Sequence, residues 1–483
     1  MNWRLLGIPL IGEGVTVLLC LIPALHFDDG TVVGILLSSV ITLVAGVLFL
    51  TLFPRLSHGN GGSDKWGSYV TVALMWVLLS LFGTLPFLLT GSCHSFVDAF
   101  FESMSGLTST GATIIPDVEE LPKSVLLWRS LSEWIGGYGI IMLVLAVVPT
   151  LGLNKYSLYT AEVSGADNTG KTASTMRTVV HRTLITYLSL TALFIVALFL
   201  SGMTLWESVN MTFTNISTGG FSIYADSIAG FTPLQQYILA ASMFVGGINF
   251  ALLFNLFTIR WSKLSHKLDQ FGFYVVLLVV SIVVVSLSLH YRNDYGWNDA
   301  VRLGVVQTTS VLTTTGSVIA DTNLWWTPIM FLFLTLSFCG GMAGSTTGGL
   351  KVMRVLILFR NVRNTLRNRL HPHAYNPVRL NGMPVPDDII TNVMVIFLVF
   401  VATLMIGLLL LMVCGVGASE SLGAVFGCLT TYGPGIGPSG GFGSYVLFPV
   451  MAKWLCTFLM LLGRLECLTV LILFLPGFWR RSW

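Results

Sequence analysis

The chain has 483 residues, of which 54% are hydrophobic and only 10% are charged, and its mean hydropathy is +0.81. This composition excludes a set of soluble domains and predicts a polytopic integral membrane protein. The net charge of +3 says little by itself, and no nucleic-acid partner is expected. The seven cysteines are scattered, mostly within apolar runs, so they indicate neither a disulfide framework nor a metal site.

Two apolar stretches near the start, 5–25 and 32–53, are each long enough to cross a bilayer. The acidic turn Asp28-Asp29-Gly30 joins them. The first stretch has no small-residue cleavage site and leads into the second, so we interpret it as a retained helix rather than a signal peptide. We predict that residues 1–56 form a leading transmembrane hairpin, with Glu13 either packed inside the bundle or solvated near the interface.

The rest of the chain repeats one pattern four times: a long apolar segment, a short one, a step that ends in glycine, and a second long apolar segment. The steps recur roughly every 100 residues, which suits two spanning helices with a re-entrant loop between them. The predicted units cover 67–151, 182–262, 270–359 and 388–478. The predicted steps are Ser109-Thr110-Gly111, Ser217-Thr218-Gly219, Thr314-Thr315-Gly316 and Thr431-Tyr432-Gly433.

The short segments, such as 96–104, are too short to span a membrane and too apolar for exposed loops. Irregular backbone after them is tolerated only when it is buried in protein or lines a wet cavity. A glycine allows the backbone to aim successive carbonyls at one axis, where they replace a cation's water shell. The negative C-terminal end of each half-helix also favours a cation. One Ser-Thr-Gly is more often a packing site, but four on the same side favour a filter.

We therefore predict an all-α polytopic membrane protein with two leading helices and four pseudo-symmetric helix–pore loop–helix units around one pore. With the steps outside, the inner segments hold most of the 25 Lys and Arg residues. The positive-inside rule then places both termini in the cytoplasm. The outer segments hold most of the acidic residues, which either raise the local cation concentration or form an ordinary solvated face.

A glycine-rich run interrupts the second long segment of the third unit: Gly340-Gly341-Met342-Ala343-Gly344-Ser345-Thr346-Thr347-Gly348-Gly349. Each glycine costs a helix about 1 kcal/mol relative to Ala, so no continuous helix is expected here. A broken helix below the filter is a natural gate, and a plain packing kink is the alternative.

Arg464 lies inside the last long apolar segment. An arginine there costs at least about 2.5–3.5 kcal/mol on insertion scales, so it should face a partner or water. Glu466 follows two residues later on a different helix face, so the expected partners are backbone carbonyls of the glycine-rich run. Snorkelling of Arg464 to the inner surface is the alternative.

Two further motifs are assigned no function. Residues 165–172 match the phosphate-loop pattern G-x-x-x-x-G-K-[ST], but they lie in a polar linker with no room for a sheet, so a nucleotide site is not expected. His371-Pro372-His373 lies in an Arg-rich loop, where two histidines are more often solvated than bound to a metal.

Taken together, these residues resemble the TrkH/KtrB superfamily of potassium-translocating subunits over nearly the whole chain. The two leading helices favour the Trk type over the shorter Ktr type. Besides the four steps, the resemblance rests on Trp134-Ile135-Gly136-Gly137, Ser217-Thr218-Gly219-Gly220-Phe221-Ser222, Gly344-Ser345-Thr346-Thr347-Gly348-Gly349-Leu350-Lys351 and Gly463-Arg464-Leu465-Glu466.

The resemblance implies potassium uptake across the bacterial inner membrane, with K⁺ held at the filter residues as the transported ion and no bound cofactor. It implies a gate formed by 340–349, with Arg464 as an electrostatic barrier beneath the filter. It also implies a homodimer of two separate pores among membrane lipids. A cytoplasmic nucleotide-binding regulator of the TrkA-like kind would dock on the basic inner loops.

The main alternative is a secondary transporter with alternating access, which usually shows inverted repeats and a substrate site at the membrane midplane. The four units here share one orientation, which favours a pore. Proton coupling would need a titratable residue on the path, for which Glu133, Lys453 and Glu466 are the candidates beside Arg464. A membrane enzyme is a third alternative, but no nucleophile-and-base pair or metal-ligand set indicates one.

Overall fold

The computed structural model describes residues 3–52, 65–147, 172–258, 268–371 and 376–476. Residues 165–171 of the phosphate-loop-like motif and His373 lie outside these ranges. Within the ranges, the regular structure is helical apart from a two-stranded antiparallel ribbon, β1 (Arg379–Leu380) paired with β2 (Met383–Pro384). The predicted all-α class is confirmed.

The leading hairpin packs through small residues. It consists of a short 3-10 helix, Trp3–Leu6, followed by α1 (Gly7–Leu19), α2 (Leu21–His26) and α3 (Val32–Leu52). A Cβ added at Gly7 would lie 2.6 Å from the Gly46 carbonyl oxygen, and one at Gly14 would lie 2.7 Å from Leu43 Cγ. The helices therefore cross with their backbones nearly touching, as membrane helices do at small residues.

Four units follow, each with a long helix, a pore helix and a second long helix. The first contains α4 (Lys65–Phe82), α5 (Leu85–Leu89), pore helix α6 (Phe96–Leu107) and α7 (Lys123–Val147). The second contains α8 (Thr172–Leu200), pore helix α9 (Leu205–Ile216), α10 (Pro233–Gly246) and α11 (Phe250–Thr258).

The third and fourth units have the same order of elements. The third contains α12 (Asp269–Arg292), pore helix α13 (Trp297–Leu312), α14 (Thr327–Cys339) and α15 (Val352–Leu370). The fourth contains α16 (Asp387–Val413), pore helix α17 (Ala418–Leu429), α18 (Val450–Arg464) and α19 (Leu468–Leu471), with a final 3-10 helix at Ile472–Phe474.

The pore helices lie at the centre, and the long helices surround them. Every residue of α6 from Ala99 to Leu107 is buried, whereas Val279 and Leu398 on α12 and α16 point outward and are more than half exposed. Six of the described helices are long and apolar enough to span a membrane, or up to eight if two bent pairs are counted. This arrangement confirms an integral membrane protein with two leading helices and four pore units.

The sequence predicts that the second long segments of the second and fourth units are continuous spanning helices, but both are sharply bent. Pro233–Gly246 meets Phe250–Leu256 at 104°, and Val450–Arg464 meets Leu468–Phe474 at 109°. In the third unit the helix is interrupted between Cys339 and Val352, across the glycine-rich run. The prediction of two continuous helices is therefore wrong.

The bends are stabilised by partners from other units. At the first bend, the Met342 amide of the third unit donates to the Gly247 carbonyl oxygen at 3.0 Å. At the second, Glu466 and Cys467 adopt left-handed φ angles of 60° and 44°, and the Glu466 carboxylate pairs with Arg354 at 2.5 Å. Hydrogen bonds and ion pairs with residues of other units do not change the local hydropathy, so the sequence pattern does not indicate the bends.

Asp29, in the turn between α2 and α3, ties the leading hairpin to the first unit. Its Oδ1 accepts from the Thr31 hydroxyl at 2.6 Å, and its Oδ2 accepts from the Ser124 amide at 3.0 Å, at the start of α7. Burial alone would raise the pKa of Asp29, but these hydrogen bonds lower it below its ordinary value of 3.8. The carboxylate thus caps a helix end in another part of the fold.

We expect Asp29→Asn to lower the free energy of unfolding by about 1 kcal/mol at neutral pH, the usual size of a lost cap. Because the pKa of Asp29 is lower in the folded chain, its stabilisation is present above the unfolded value of about 4 and is lost as the pH falls through the folded value. Thermal melts of both proteins should show a constant difference in Tm above about pH 5 and no difference at the lowest pH. Asp28→Asn, at the exposed neighbouring position, is the control and should leave Tm unchanged, whereas a pH-independent difference for Asp29→Asn would contradict this role.

Candidate functional site

The loops after the four pore helices share one backbone conformation. In each loop, the residue after the helix cap has a left-handed φ of 48–53° although it is not glycine; these residues are Ser109, Thr218, Thr314 and Thr431. Two residues later comes a left-handed glycine with φ of 77–92°; these are Gly111, Gly220, Gly316 and Gly433. Because left-handed φ is uncommon outside glycine, its recurrence at one position identifies four equivalent segments: 109–111, 218–220, 314–316 and 431–433.

The second loop is offset by one residue from the predicted step Ser217-Thr218-Gly219. The left-handed glycine there is Gly220, and Gly219 takes the middle position. The predicted equivalence of Gly219 with Gly111 is therefore wrong. The sequence has two adjacent glycines at this point, and only the backbone conformation shows which of them is left-handed.

Ser217 is the cap of pore helix α9 rather than a residue of the loop. Its hydroxyl donates to the Phe213 carbonyl oxygen at 2.7 Å. The same hydroxyl-to-carbonyl bond, four residues back and also 2.7 Å long, is made by Thr108, Thr313 and Thr430. Each of these carbonyls also accepts from the backbone amide of the same cap residue, so the hydroxyl adds a second hydrogen bond at the end of the helix.

Each left-handed glycine fits against the backbone of the next unit, so that an added Cβ would collide with a carbonyl oxygen there. The contacts join Gly111 to Gly219, Gly220 to Thr315, Gly316 to Tyr432 and Gly433 to Thr110. They run from the first unit to the fourth and back to the first, and therefore close a ring. We name the carbonyls of Thr110, Gly219, Thr315 and Tyr432 the carbonyl ring. A ring of backbone carbonyls around one axis can coordinate a dehydrated cation.

Polar side chains form hydrogen bonds with the backbone of the loops. The Glu102 carboxylate accepts from the Ile114 amide at 2.9 Å, and Gln307, at the equivalent place in the third unit, accepts from the Ile319 amide at 3.1 Å. In the fourth loop, the Tyr445 hydroxyl donates to the Gly433 carbonyl oxygen at 2.8 Å. These bonds fix the backbone conformation of the loops.

The three ionisable residues named as candidates for proton coupling all have partners. Glu133 accepts from the Phe221 amide at 3.1 and 3.2 Å, behind the second loop. Lys453 pairs with Asp98 at 2.9 Å. Glu466 pairs with Arg354, as described above. Each therefore has a structural contact that explains its presence in the membrane.

A cavity opens where the loops leave the ring, and the four left-handed glycines line it together with Arg129. Arg129 is 2% exposed, and its Nε lies 2.8 Å from Glu102 Oε1. Its Nη1 donates to the Ser222 carbonyl oxygen at 2.9 Å, which joins the first and second units. The sequence pattern does not indicate the pair of Arg129 and Glu102, because the two residues are 27 positions apart and lie on different helices.

The glycine-rich break, residues 340–349, lies directly beneath the ring. The Gly348 amide donates to the Thr314 hydroxyl at 2.8 Å, and the hydroxyls of Thr218 and Thr346 lie 3.2 Å apart. Gly348 also packs so closely against Thr431 that a Cβ would collide with its hydroxyl. The break thus contacts the lower ends of three of the four loops.

Apart from the half-buried Ala343, the remaining residues of the break are buried, and their hydrogen bonds are local or go to the second unit. Gly340, Gly344 and Gly349 have left-handed φ of 67°, 77° and 71°. The Gly341 amide donates to the Thr347 hydroxyl, and the Ser345 hydroxyl donates to the Met342 carbonyl oxygen. Left-handed φ at three positions is the reason why glycine is needed here.

Arg464 ends α18 and completes the contact beneath the ring. It is 3% exposed. Its Nη1 donates to the Thr346 carbonyl oxygen at 2.7 Å, and its Nη2 lies 3.1 Å from both Ser109 Oγ and the Gly136 carbonyl oxygen. Among the ion pairs of the described residues none includes Arg464, so its charge is held by neutral oxygens. It links the break to the first loop.

A second pair of contacts connects the break to α15. Lys351, buried just before α15, donates to the carbonyl and the hydroxyl of Thr347. One turn later, Arg354 reaches Glu466 at the bend of the fourth unit. The sequence gives no sign of these contacts, since Arg354 and Glu466 are more than a hundred residues apart.

The chain resembles known transport proteins over nearly its full length. It is 32% identical to the Trk system potassium uptake protein TrkH of Halomonas elongata over 487 residues, which is 100% of this chain and 99% of that protein. It is 31% identical to TrkH of Escherichia coli over 480 residues, covering 99% of this chain and 98% of that protein. The crystal structure of the potassium transporter TrkH from Vibrio parahaemolyticus superimposes with a TM-score of 0.89, at 31% identity and 99% coverage of both chains.

Residues 64–480 match the family model TrkH, described as a cation transport protein. The match spans all four loops, the glycine-rich break and Arg464. The chain therefore belongs to the TrkH family of cation transport proteins.

Proposed function

We propose that this chain is the translocating subunit of a Trk-type potassium uptake system and conducts K⁺ through one selective, gated pore. The observation that carries the proposal is the carbonyl ring, closed by glycines of four successive units. Backbone carbonyls at such a ring replace the water shell of the ion. The potassium uptake named for its relatives supports K⁺ as the transported cation. No enzymatic step and no bound cofactor are needed.

The proposed filter uses the register of the structure. Its residues are Ser109-Thr110-Gly111, Thr218-Gly219-Gly220, Thr314-Thr315-Gly316 and Thr431-Tyr432-Gly433. The middle residues supply the carbonyl ring, and the left-handed glycines let each loop close against its neighbour. Ser217 caps its helix and therefore lies outside the proposed filter.

We further propose that the gate consists of the glycine-rich break, Gly340 to Gly349, together with Arg464. Thr346 is the link, because its hydroxyl lies against Thr218 and its carbonyl accepts from Arg464. An ion leaving the ring meets packed backbone and a positive charge. One such charge about 4 Å away opposes a cation by about 4 kcal/mol at an effective dielectric constant of about 20.

Ion flux into proteoliposomes tests the function. The purified chain should admit K⁺ and Rb⁺ in preference to Na⁺, and K⁺ entry should follow the membrane potential without an imposed pH gradient. Flux that requires a proton or sodium gradient would instead favour coupled transport. Equal entry of K⁺ and Na⁺ would contradict the proposed filter.

We place the protein in the bacterial inner membrane with both termini in the cytoplasm. The basic helix α15 then projects from the gate to the cytoplasmic side, in agreement with the positive-inside rule. We propose a homodimer in contact with membrane lipids, in which each chain has its own pore. A cytoplasmic nucleotide-binding regulator, TrkA-like in kind, would dock on α15 and act on the break through Lys351 and Arg354.

We expect neutralisation of three exposed arginines of α15 to weaken regulator binding. The variant combines Arg363→Gln, Arg367→Gln and Arg369→Gln. Arg360 is kept because its side chain forms an ion pair with Asp269 at 2.6 Å. Loss of three surface charges should lower recovery of the regulator in co-purification, and the difference from the wild-type chain should be larger at low salt than at moderate salt, because salt screens exposed charges. The matching triple Lys variant keeps the charge and should retain binding. Equal recovery with the Gln and Lys variants would assign the arginines to lipid contact.

A further inference from the structure

Glu13, on α1 of the leading hairpin, is a buried carboxyl outside the ion pathway. It is 3% exposed, and both of its carboxyl oxygens are buried without a hydrogen-bond partner among the described residues. One oxygen faces Gly83, where an added Cβ would lie 3.0 Å away. The nearby Ser103 hydroxyl, on pore helix α6, already donates to the Ser80 carbonyl oxygen at 2.8 Å. The carboxyl therefore lies between the leading hairpin and the first pore helix.

No cation of the described residues pairs with Glu13. On elements that pack against α1, the titratable groups are Arg4 in the preceding turn, Cys20 before α2, His26 at the end of α2, and Lys65 and Tyr69 on α4. α3 has none. On α6, Glu102 pairs with Arg129, and Asp98 with Lys453. An ionised carboxylate inside a membrane protein needs a partner or water, whereas the neutral acid is far less costly to bury.

We propose that Glu13 is a proton-binding site that carries its proton in the resting protein, and that hydrophobic carbodiimides modify it from the lipid phase. The neutral acid gives its proton to one carbodiimide nitrogen, and the carboxylate oxygen bonds to the central carbon. The resulting O-acylisourea then transfers its acyl group to nitrogen, which leaves a stable N-acylurea. All atoms of both reactants are retained, and no further reactant is needed.

Access from lipid is provided by the neighbouring position on α1. Gly12 is exposed, and nothing lies within 4 Å of the place where its Cβ would be. A membrane-soluble reagent can therefore approach within one residue of the carboxyl. The space on the far side, at Gly83, is too small even for a methyl group without adjustment. A bulky adduct on Glu13 must therefore push against α6 and displace the first loop. If the chain conducts K⁺ as proposed, this displacement lowers K⁺ flux several-fold.

The test treats the purified protein in proteoliposomes with dicyclohexylcarbodiimide, followed by peptide mass analysis and K⁺ flux. We expect the adduct mass on Glu13 and a several-fold loss of flux. Glu13→Gln mimics the neutral acid in size and polarity, so it should keep its Tm and flux and be insensitive to the reagent. Glu120→Gln, at an exposed carboxyl, is the matched control and should remain sensitive. A water-soluble carbodiimide should label Glu120 and spare Glu13.

Three outcomes would overturn the proposal. One is the absence of an adduct on Glu13 in protein that keeps its normal Tm. Another is equal labelling of Glu13 by the water-soluble reagent. The third is a large fall in Tm for Glu13→Gln, which would show that an ionised carboxylate holds a cation. The adduct on Glu13 is detected by mass and does not depend on ion flux. A preparation without K⁺ flux would therefore contradict the proposed function, while the labelling of Glu13 could still be measured.

Discussion

Arg464→Gln should raise K⁺ flux through the protein in the absence of any regulator. The glutamine side chain keeps a polar amide at this position, but the substitution removes a positive charge that has no ion-pair partner among the described residues. The charge opposes a nearby K⁺ by about 4 kcal/mol at an effective dielectric constant of about 20, so a gain of at least about tenfold is expected. The measurement is flux per folded molecule, with folded protein quantified by monodisperse elution.

Two companion variants separate charge from structure. Arg464→Lys keeps the charge and should keep flux low. Shortening the break within Gly344 to Gly348 removes the obstruction but leaves the carbonyl ring intact, so it should also raise flux with unchanged preference for K⁺ over Na⁺. If Arg464→Gln only loses Tm and gains no flux, the arginine ties the break in place and is no barrier. Unchanged or lower flux in both variants would contradict the gate.

Gly220→Ser should abolish most of the preference for K⁺ over Na⁺. At this position φ is 89°, and an added Cβ would collide with the Thr315 carbonyl oxygen, a member of the carbonyl ring. Relief of the collision displaces that oxygen, and a displaced ring no longer matches dehydrated K⁺. The same reasoning predicts a loss for Gly111→Ser. The measurement is the ratio of K⁺ to Na⁺ uptake into proteoliposomes.

Gly272→Ser is the control for the glycine variants. Gly272 lies on the exposed side of α12, and nothing is within 4 Å of the position of its Cβ. Its substitution should leave the uptake ratio unchanged. If Gly220→Ser folds and keeps the wild-type ratio, the assignment of the second loop to the filter is wrong.

The sequence predicts the repeated units because each depends on local signals: apolar length, a short half-helix and a glycine step. It does not predict the register of the second loop, since positions 219 and 220 are both glycine and only Gly220 has a left-handed φ. That difference arises from contact with the third unit, where Gly220 meets Thr315. Local pattern alone carries no information about such a contact.

The same limit applies to the bends and to the charges around the gate. The bend after Gly246 is stabilised by bonds from the third unit, and the bend at Glu466 by Arg354. The carbonyl partners expected for Arg464 could be predicted, because a buried arginine needs acceptors and the broken helix has spare carbonyls. Its contact with Ser109 could not, since it requires the first and fourth units to be adjacent.

The bonds between the glycine-rich break and the second unit have a consequence for how the pore opens. Met342 bonds to Gly247, Asn249 to Ala343, Phe250 to Gly344 and Thr346 to Gly246. If the break moves aside, these donors and acceptors lose their partners inside a membrane, where only water entering the pore can replace them. Opening and hydration of the pore are then a single event. The open state should therefore become less populated when an excluded osmolyte lowers the activity of water.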